Sequence, residues 1–107
     1  MKRGDLVTIA LQGDYGKPRP AMVLQSDLFS DHPSVTVLPV TSEMRGDLLF
    51  RINVEPSSAN GLRRPSQIMI DKAQTVSREK IDAPLGQLED RTILAVNQAL
   101  FVFLGLA

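Results

Sequence analysis

Short runs of β-branched and other apolar residues, separated by Gly, Pro, Asp and Asn, make up most of the chain before residue 77. Such runs are typical of the strands of a small antiparallel sheet. They predict strands about ten residues apart, at residues 6–11, 20–25, 35–40, 48–54 and 66–76. In the last of these, strict alternation puts Met69 and Asp71 on the face opposite to Lys72 and Gln74.

The period of the apolar residues changes near the C-terminus. From Asp90 onward they recur at helical intervals, which predicts a helix of about 15 residues with Gly105 as its stop signal. The predicted apolar stripe consists of Ile93, Val96, Leu100 and Leu104, widened by Leu94 and Phe101. One small sheet cannot bury so many apolar side chains, so we expect another subunit to cover part of this helix. The alternative is a helix sunk in a groove between strands.

Composition indicates one folded domain spanning residues 1–107, with 43% hydrophobic and 22% charged residues. The absence of Cys excludes disulfides, thiolate metal sites and a cysteine nucleophile. The single histidine, His32, excludes a site built on two histidines. No apolar run is long enough for a signal-peptide core or a membrane helix. We therefore expect a cytoplasmic protein with no membrane segment.

Two prolines flank Arg19 in the segment Lys17-Pro18-Arg19-Pro20, at the start of the second predicted strand. Because proline fixes φ, the arginine is held stiffly at the mouth of a strand. Its planar guanidinium suits a phosphate there. The alternative is a solvated loop arginine paired with Asp14.

Thr41 and Ser42 are adjacent hydroxyl residues that end the third predicted strand. Hydroxyls and backbone N–H groups at the end of a strand can bind an anion. The alternative is that both residues form a turn and bond to their own backbone.

Asp71 is an acid in the middle of a predicted strand, which is unfavourable unless the carboxylate is paired or functional. It could act as a general base, hold Arg19 by a charge-assisted hydrogen bond, or be a plain edge-strand carboxylate. His32 is a second candidate base. It lies in a predicted loop before a strand, however, and most histidines in surface loops have no catalytic role.

In this order, these segments resemble the MazF/PemK family of toxin endoribonucleases from bacterial type II toxin–antitoxin systems. The matching motifs lie at residues 3–7, 16–25, 39–42, 61–62, 66, 71–76 and 97–106. The resemblance implies a mainly β fold, an SH3-like small barrel of strongly curved antiparallel strands with a C-terminal helix. It also implies a homodimer whose two sites straddle the interface, and an antitoxin protein that neutralises growth inhibition.

The reaction implied by the resemblance is sequence-specific cleavage of single-stranded RNA (mRNA) without metal, and we expect no cofactor. The ribose 2′-OH attacks the neighbouring phosphate and leaves a 2′,3′-cyclic phosphate and a 5′-OH. By the same resemblance, Arg19 supplies electrostatic stabilisation and a proton, Thr41 binds the scissile phosphate, and Asp71 serves catalysis or substrate binding. We expect further RNA contacts from Tyr15, Lys17, Ser42, Lys72 and Gln74.

The sequence also departs from the family pattern. Some relatives carry an arginine two residues before the acid, where this chain has Met69, and many have an arginine in place of Gln74. Some relatives have a histidine in the first loop, which is absent here. The identity of the general base therefore stays open. We expect sequence preference to be set by residues 12–18 and 43–47.

A non-enzymatic toxin of the same fold, like the gyrase poison CcdB, is the alternative function. Residues 97–106 also resemble the CcdB tail, but Leu104 stands where that tail has its gyrase-binding tryptophan. This difference, together with the Arg19 and Thr41 pair, favours RNA cleavage. A third alternative is an SH3-like binding module with a degenerate site.

The formal net charge of zero argues against a general nucleic-acid binder. The charge is nevertheless unevenly distributed. Residues 1–19 hold four basic and two acidic residues, a net +2, and residues 60–80 hold five basic and two acidic residues, a net +3. These two segments contribute Arg19 and Asp71. A local basic surface of this kind is enough to attract a few phosphates.

Overall fold

The computed structural model describes residues 1–10 and 17–107, and this part of the chain forms antiparallel strands followed by one α-helix. The elements are β1 (Asp5–Ala10), β2 (Pro18–Val23), β3 (Ser34–Thr41), β4 (Arg51–Val54), β5 (Ser66–Met69), β6 (Gln74–Ser77), β7 (Ile81–Gln87) and α1 (Asp90–Phe103). The strand order is β4-β5-β3-β2-β1-β7, and β6 also pairs with β3. The predicted mainly β architecture with a C-terminal helix is confirmed.

The sheet buries apolar side chains on both faces, because successive residues of a strand point to opposite sides. Leu6, Met22 and Leu38 are neighbours across β1, β2 and β3, and they face α1. The opposite face buries a second cluster that is rich in valine. Its members are Val7, Ile9, Ala21, Val23, Val35, Val37 and Val76. The short β-branched runs in the sequence supply this second cluster.

Strand β7 was missed by the pattern of the sequence. Its residues are mostly exposed and include Pro84 and Gly86, so they show neither alternation nor β-branched enrichment. Proline and glycine fit there because β7 lies at an edge of the sheet and pairs with β1 through two irregularities.

The predicted strand at residues 66–76 is wrong as one unit, because a 3₁₀ turn at Ile70–Lys72 separates β5 from β6. Strand β3 pairs with β6 up to Val37 and with β5 from Val40. Pro39, which has no N–H to donate, lies opposite this gap. The buried Ile70 fixes the turn, and its backbone N–H donates to the carbonyl oxygen of Phe50 at 2.9 Å.

Helix α1 buries Val96 completely and packs Ile93 and Leu100 against the same cluster as Leu6. It ends at Phe103, and Gly105 follows as the predicted stop signal with a φ of +74°. The N–H of Leu106 donates to Phe101 O at 2.8 Å, and that of Gly105 to Val102 O at 3.2 Å, a Schellman ending.

The remaining apolar side chains of the helical segment face outward in the isolated chain. Leu104, which the sequence places in the apolar stripe, lies beyond the end of the helix at Phe103 and is 60% exposed in one chain. Leu94 and Phe101, which were predicted to widen the stripe, are also exposed. The alternative of a helix sunk between strands is therefore excluded. The exposed set is Leu94, Phe101, Val102, Phe103, Leu104 and Leu106.

A buried amide organises the connection between β4 and β5. Asn60 is fully buried, and its Oδ1 accepts from the N–H groups of Ser57 and Leu62, both at 3.0 Å. Its Nδ2 donates to Glu55 O at 2.8 Å and to Glu89 Oε1 at 3.3 Å. The Ser57 hydroxyl donates to Glu89 Oε2 at 2.7 Å, and this bond is the main reason that the pKa of Glu89 is lowered.

Gly4 should not tolerate a side chain. Its φ is +90°, and an added Cβ would lie 2.5 Å from Cδ1 of Ile93 on α1. We expect Gly4→Ala to lower the free energy of unfolding by about 1–3 kcal/mol, the usual cost of a strained backbone position. Urea denaturation measures this value. Gly46→Ala is the matched control, since an added Cβ there meets nothing within 4 Å. Equal stability of the two variants would contradict the prediction.

Candidate active site

Arg19 and Thr41, which are distant in sequence, line the same cavity of about 390 Å³. Arg19 lies on β2 and Thr41 is the last residue of β3, and these two strands pair through Ala21 and Pro39. The lining residues are Arg19, Pro39, Val40, Thr41, Glu43, Arg45, Arg51, Met69, Lys72 and Gln74. We call this space the Thr41 cavity.

The Thr41 hydroxyl is oriented by the backbone that follows it. Its Oγ1 accepts a hydrogen bond from the N–H of Glu43 at 3.0 Å. The predicted alternative, in which Thr41 bonds to the backbone of a turn, is therefore also observed. Because the oxygen is used as an acceptor, the hydroxyl hydrogen can be donated to a ligand in the cavity.

Lys72 and Gln74 line the Thr41 cavity, together with Met69. Strict alternation put Met69 on the face opposite to Lys72 and Gln74, and this prediction is wrong. The 3₁₀ turn at Ile70–Lys72 interrupts the strand and shifts the phase of the side chains that follow it.

Asp71 lies within that turn and is not among the described residues lining the Thr41 cavity. Its Oδ2 lies 3.7 Å from Nζ of Lys72, and its Oδ1 is buried with no hydrogen-bond partner among the described residues. Asp71 therefore contacts a lysine of the cavity. Its predicted role in catalysis or substrate binding stays a prediction.

Three further candidates among the described residues, Ser42, Lys17 and His32, do not line the Thr41 cavity. Ser42 is exposed and lines an adjoining cavity, whereas the exposed Lys17 lines neither of the two. Tyr15 and the predicted Asp14 partner of Arg19 lie outside the described residues. His32 lies in the loop before β3, where its ring is within 3.1 Å of Ser34 O, and it lines neither cavity.

Arg51 is a cavity residue that the sequence reasoning missed. It lies on β4 directly opposite Met69 of β5, and opposed residues share a face of the sheet. Its Nη1 donates to Gln67 Oε1 at 3.0 Å and to Glu43 O at 3.2 Å. The signal that could have found it is the pairing of β4 with β5. The pairing places the side chain of Arg51 beside Met69, the position at which some relatives carry an arginine.

Gln67 connects Arg51 to the loop that carries Glu43 and Arg45. Its side chain is buried, and Nε2 donates to Arg45 O and to Asn53 Oδ1, both at 2.8 Å. Its Oε1 also accepts from the N–H of Arg45 at 3.0 Å. The amide thus holds one wall of the cavity in place. Nothing in the predicted strand pattern distinguishes it from its neighbours.

A second cavity of about 310 Å³ adjoins the first and shares Arg19 and Val40 with it. Its lining residues are Thr8, Arg19, Pro20, Val40, Ser42, Gly61, Leu62, Arg63, Arg64, Ser66 and Leu85. We call it the Arg63 cavity. The two cavities form a basic groove with Arg19 at its centre.

The charge of this groove suits an anion. Among the described residues, the Thr41 cavity is lined by four basic side chains and one carboxylate, that of Glu43, which lies 3.5 Å from Arg45. No cluster of three or more His, Asp or Glu residues that could hold a metal ion is found in the described part of the chain. The described residues also contain no helix that could span a membrane.

A third cavity, of about 400 Å³, lies between β4 and α1 and is lined in part by Glu55, Glu89 and Arg91. None of the residues predicted for the site lines it. Its two carboxylates make it a poorer place for a phosphate than the basic groove.

Comparison with protein families gives a match over residues 2–104 to the PemK-like, MazF-like toxin family of type II toxin–antitoxin systems. A relative from Mycolicibacterium smegmatis, described as a probable endoribonuclease MazF, is 44% identical, with 100% of this chain and 99% of the relative covered. The endoribonuclease EndoA of Bacillus subtilis is 25% identical, over 99% of this chain and 96% of the relative.

Solved structures agree with this relationship. The Mycobacterium tuberculosis toxin MazF-mt6 has a TM-score of 0.81 at 26% identity and covers 94% of this chain and 96% of its own. A mycobacterial endoribonuclease in complex with its cognate antitoxin has a TM-score of 0.85 at 20% identity, which shows the shared fold, over 100% of this chain and 97% of its own. The chain therefore belongs to the PemK-like, MazF-like family of toxins of type II toxin–antitoxin systems.

Proposed function

We propose that this protein is a sequence-specific endoribonuclease that cleaves single-stranded messenger RNA without a metal ion. The main support is the pairing of Arg19 with Thr41 in one basic cavity, in a chain 44% identical to a probable endoribonuclease MazF. An arginine fork and a hydroxyl donor on one side of a cavity suit the non-bridging oxygens of a phosphodiester.

In the proposed reaction, the ribose 2′-oxygen attacks the neighbouring phosphorus, and the bond from phosphorus to the 5′-oxygen breaks. The 2′-hydroxyl proton passes to a base and the 5′-oxygen gains a proton, which leaves a 2′,3′-cyclic phosphate and a 5′-hydroxyl. Arg19 stabilises the charge that develops on the phosphorane and, by the family resemblance, supplies the proton. Thr41 donates to a phosphate oxygen, and Asp71 acts on the substrate through its partner Lys72.

RNA cleavage is favoured over the gyrase-poison alternative. The curated relatives are described as endoribonucleases, and Leu104 occupies the place of the tryptophan of CcdB. A degenerate binding module is not favoured either, because the arginine, threonine and lysine that the chemistry needs lie in one cavity.

The partners follow from the same proposal. One structural relative is solved with its cognate antitoxin, and an antitoxin with a flexible acidic segment would complement the basic groove of this chain. Because the proposed substrate is messenger RNA, we expect the protein to act in the cytoplasm.

A homodimer accounts for the exposed apolar side chains of the C-terminal segment. Six large apolar residues between Leu94 and Leu106 are half or more exposed in one chain. Exposure of so many large apolar side chains in one segment is typical of an interaction site. In the proposed dimer these side chains pack against the second subunit.

Arg19→Ala should abolish RNA cleavage while the protein stays folded. Loss of one preorganised donor to a transition-state oxyanion costs about 10²–10³ in rate. The measurement is the cleavage rate of single-stranded RNA in EDTA, with primer extension on the products to read the recognition sequence. Lys80→Gln removes one positive charge outside the groove and serves as the control. Intact RNA after incubation with the wild-type protein would refute the enzyme itself.

Arg51→Met should slow cleavage about tenfold or more, because a cation beside the phosphate contributes a charge-assisted hydrogen bond. Met69→Arg, added to Arg51→Met, should restore part of the rate, since the two positions are paired across β4 and β5. Single-turnover cleavage rates test both variants. A merely structural role for Arg51 in holding Gln67 predicts no rescue by the second substitution.

Leu104→Lys should convert the proposed dimer to a monomer. The change places a charge in the apolar surface, while a cation at a helix C-terminus is favourable for the helix itself. Sedimentation velocity measures the mass. Leu28→Lys, at an exposed leucine outside the helix, is the matched control and should remain dimeric. A monomeric wild-type protein, or a dimeric Leu104→Lys variant, would contradict this interface.

A further inference from the structure

The Arg63 cavity carries a concentration of positive charge that the reaction at Arg19 and Thr41 leaves unused. Arg63 and Arg64 are both exposed and line it beside Arg19. Among the described residues, its lining contains no Asp or Glu. Thr8 and Ser42 add hydroxyl side chains. Hydroxyls beside guanidinium groups are the side chains that most often contact the phosphates of a nucleic acid.

The backbone that presents these arginines is fixed in position. Asn60 is buried and satisfied by backbone groups on both sides of it, as described above. Gly61 has a φ of +73°, and an added Cβ would lie only 2.3 Å from Leu85 O, so the loop passes directly against β7. On the other side, the Ser66 hydroxyl donates to Arg64 O at 2.9 Å. A preorganised loop loses less entropy when it binds a ligand.

We propose that Arg63 and Arg64 form a second phosphate-binding subsite, which holds a nucleotide that flanks the scissile one on the same RNA strand. This inference rests on the proposed function of the Thr41 cavity. A strand whose scissile phosphate lies between Arg19 and Thr41 must continue out of that cavity. The Arg63 cavity adjoins it at Arg19 and Val40 and gives the strand a basic path.

Continuity with the Thr41 cavity is the reason for assigning this surface to RNA rather than to an acidic protein segment. Phosphates are spaced regularly along the strand, so a phosphate bound at Arg19 brings its neighbours to the flanking surface. The subsite contributes affinity without reading the base, because phosphate contacts carry no sequence information.

The test measures binding of a fluorescein-labelled, twelve-nucleotide RNA of mixed sequence that is 2′-O-methylated throughout and so has no nucleophile. Arg63→Gln combined with Arg64→Gln should weaken binding about tenfold, as expected for a lost charge-assisted bond. The slope of log affinity against log salt should become less steep by about 0.7 for each phosphate contact that is lost. A two-nucleotide analogue without terminal phosphates, whose single phosphodiester can occupy only one of the two cavities, should lose less affinity.

Lys2→Gln combined with Lys80→Gln is the matched control, because it changes the net charge equally at two exposed lysines that line neither cavity. We expect this control to retain the wild-type salt slope. Equal slopes in the two double variants would overturn the subsite. The subsite would also be overturned if the arginine variant kept its RNA affinity and lost affinity for an acidic partner protein.

Cleavage of a long all-ribose messenger RNA, which offers a sequence-specific enzyme many different short sequences, separates this inference from the proposed function. If the wild type neither binds nor cleaves that RNA, the proposed function fails. If the wild type cleaves it and the arginine variant binds RNA like the lysine control, only the second subsite fails. Circular dichroism of each variant checks that the fold is kept.

Discussion

The pairing of β3 with three neighbours is the constraint on which the site depends. One edge of β3 pairs with β2. The other edge pairs with β6 up to Val37 and with β5 from Val40. The chain between β5 and β6 therefore turns through residues 70–72, opposite Pro39. This turn brings Lys72 and Gln74 beside Thr41, and the pairing with β2 brings Arg19 to the same place. Without the interruption, an alternating strand would send Met69 and Lys72 to opposite faces.

Buried amides stabilise the two walls of the groove. Gln67 ties Arg45, Asn53 and Arg51 together on one wall, and Asn60 fixes the loop that leads to Arg63 on the other. Each amide is buried with its donor and acceptor atoms hydrogen-bonded, which is the condition under which a buried polar group gives rigidity. The basic residues of the groove thus lie on segments that these hydrogen bonds hold in position. Preorganised charge of this kind suits stabilisation of a phosphorane.

Zero net charge is compatible with this groove because charge acts locally when salt screens distant groups. The segments around Arg19 and Arg63 contribute cations to adjoining cavities. The exposed surface of the C-terminal segment is apolar, whereas the groove is basic. One surface is therefore suited to phosphates and the other to a protein partner.

The sequence alone determined the mainly β class, four of the strands to within a few residues, the helix and its stop signal at Gly105, and Arg19 and Thr41 as a candidate pair. These features depend on local patterns and on φ restrictions of proline and glycine, which a single chain displays directly. Only the tertiary structure decided the break at Ile70–Lys72, the edge strand β7, and the approach of Arg51 to Met69. Each of these depends on which strands become neighbours, and residue spacing within one segment carries no information about the partner across a ladder.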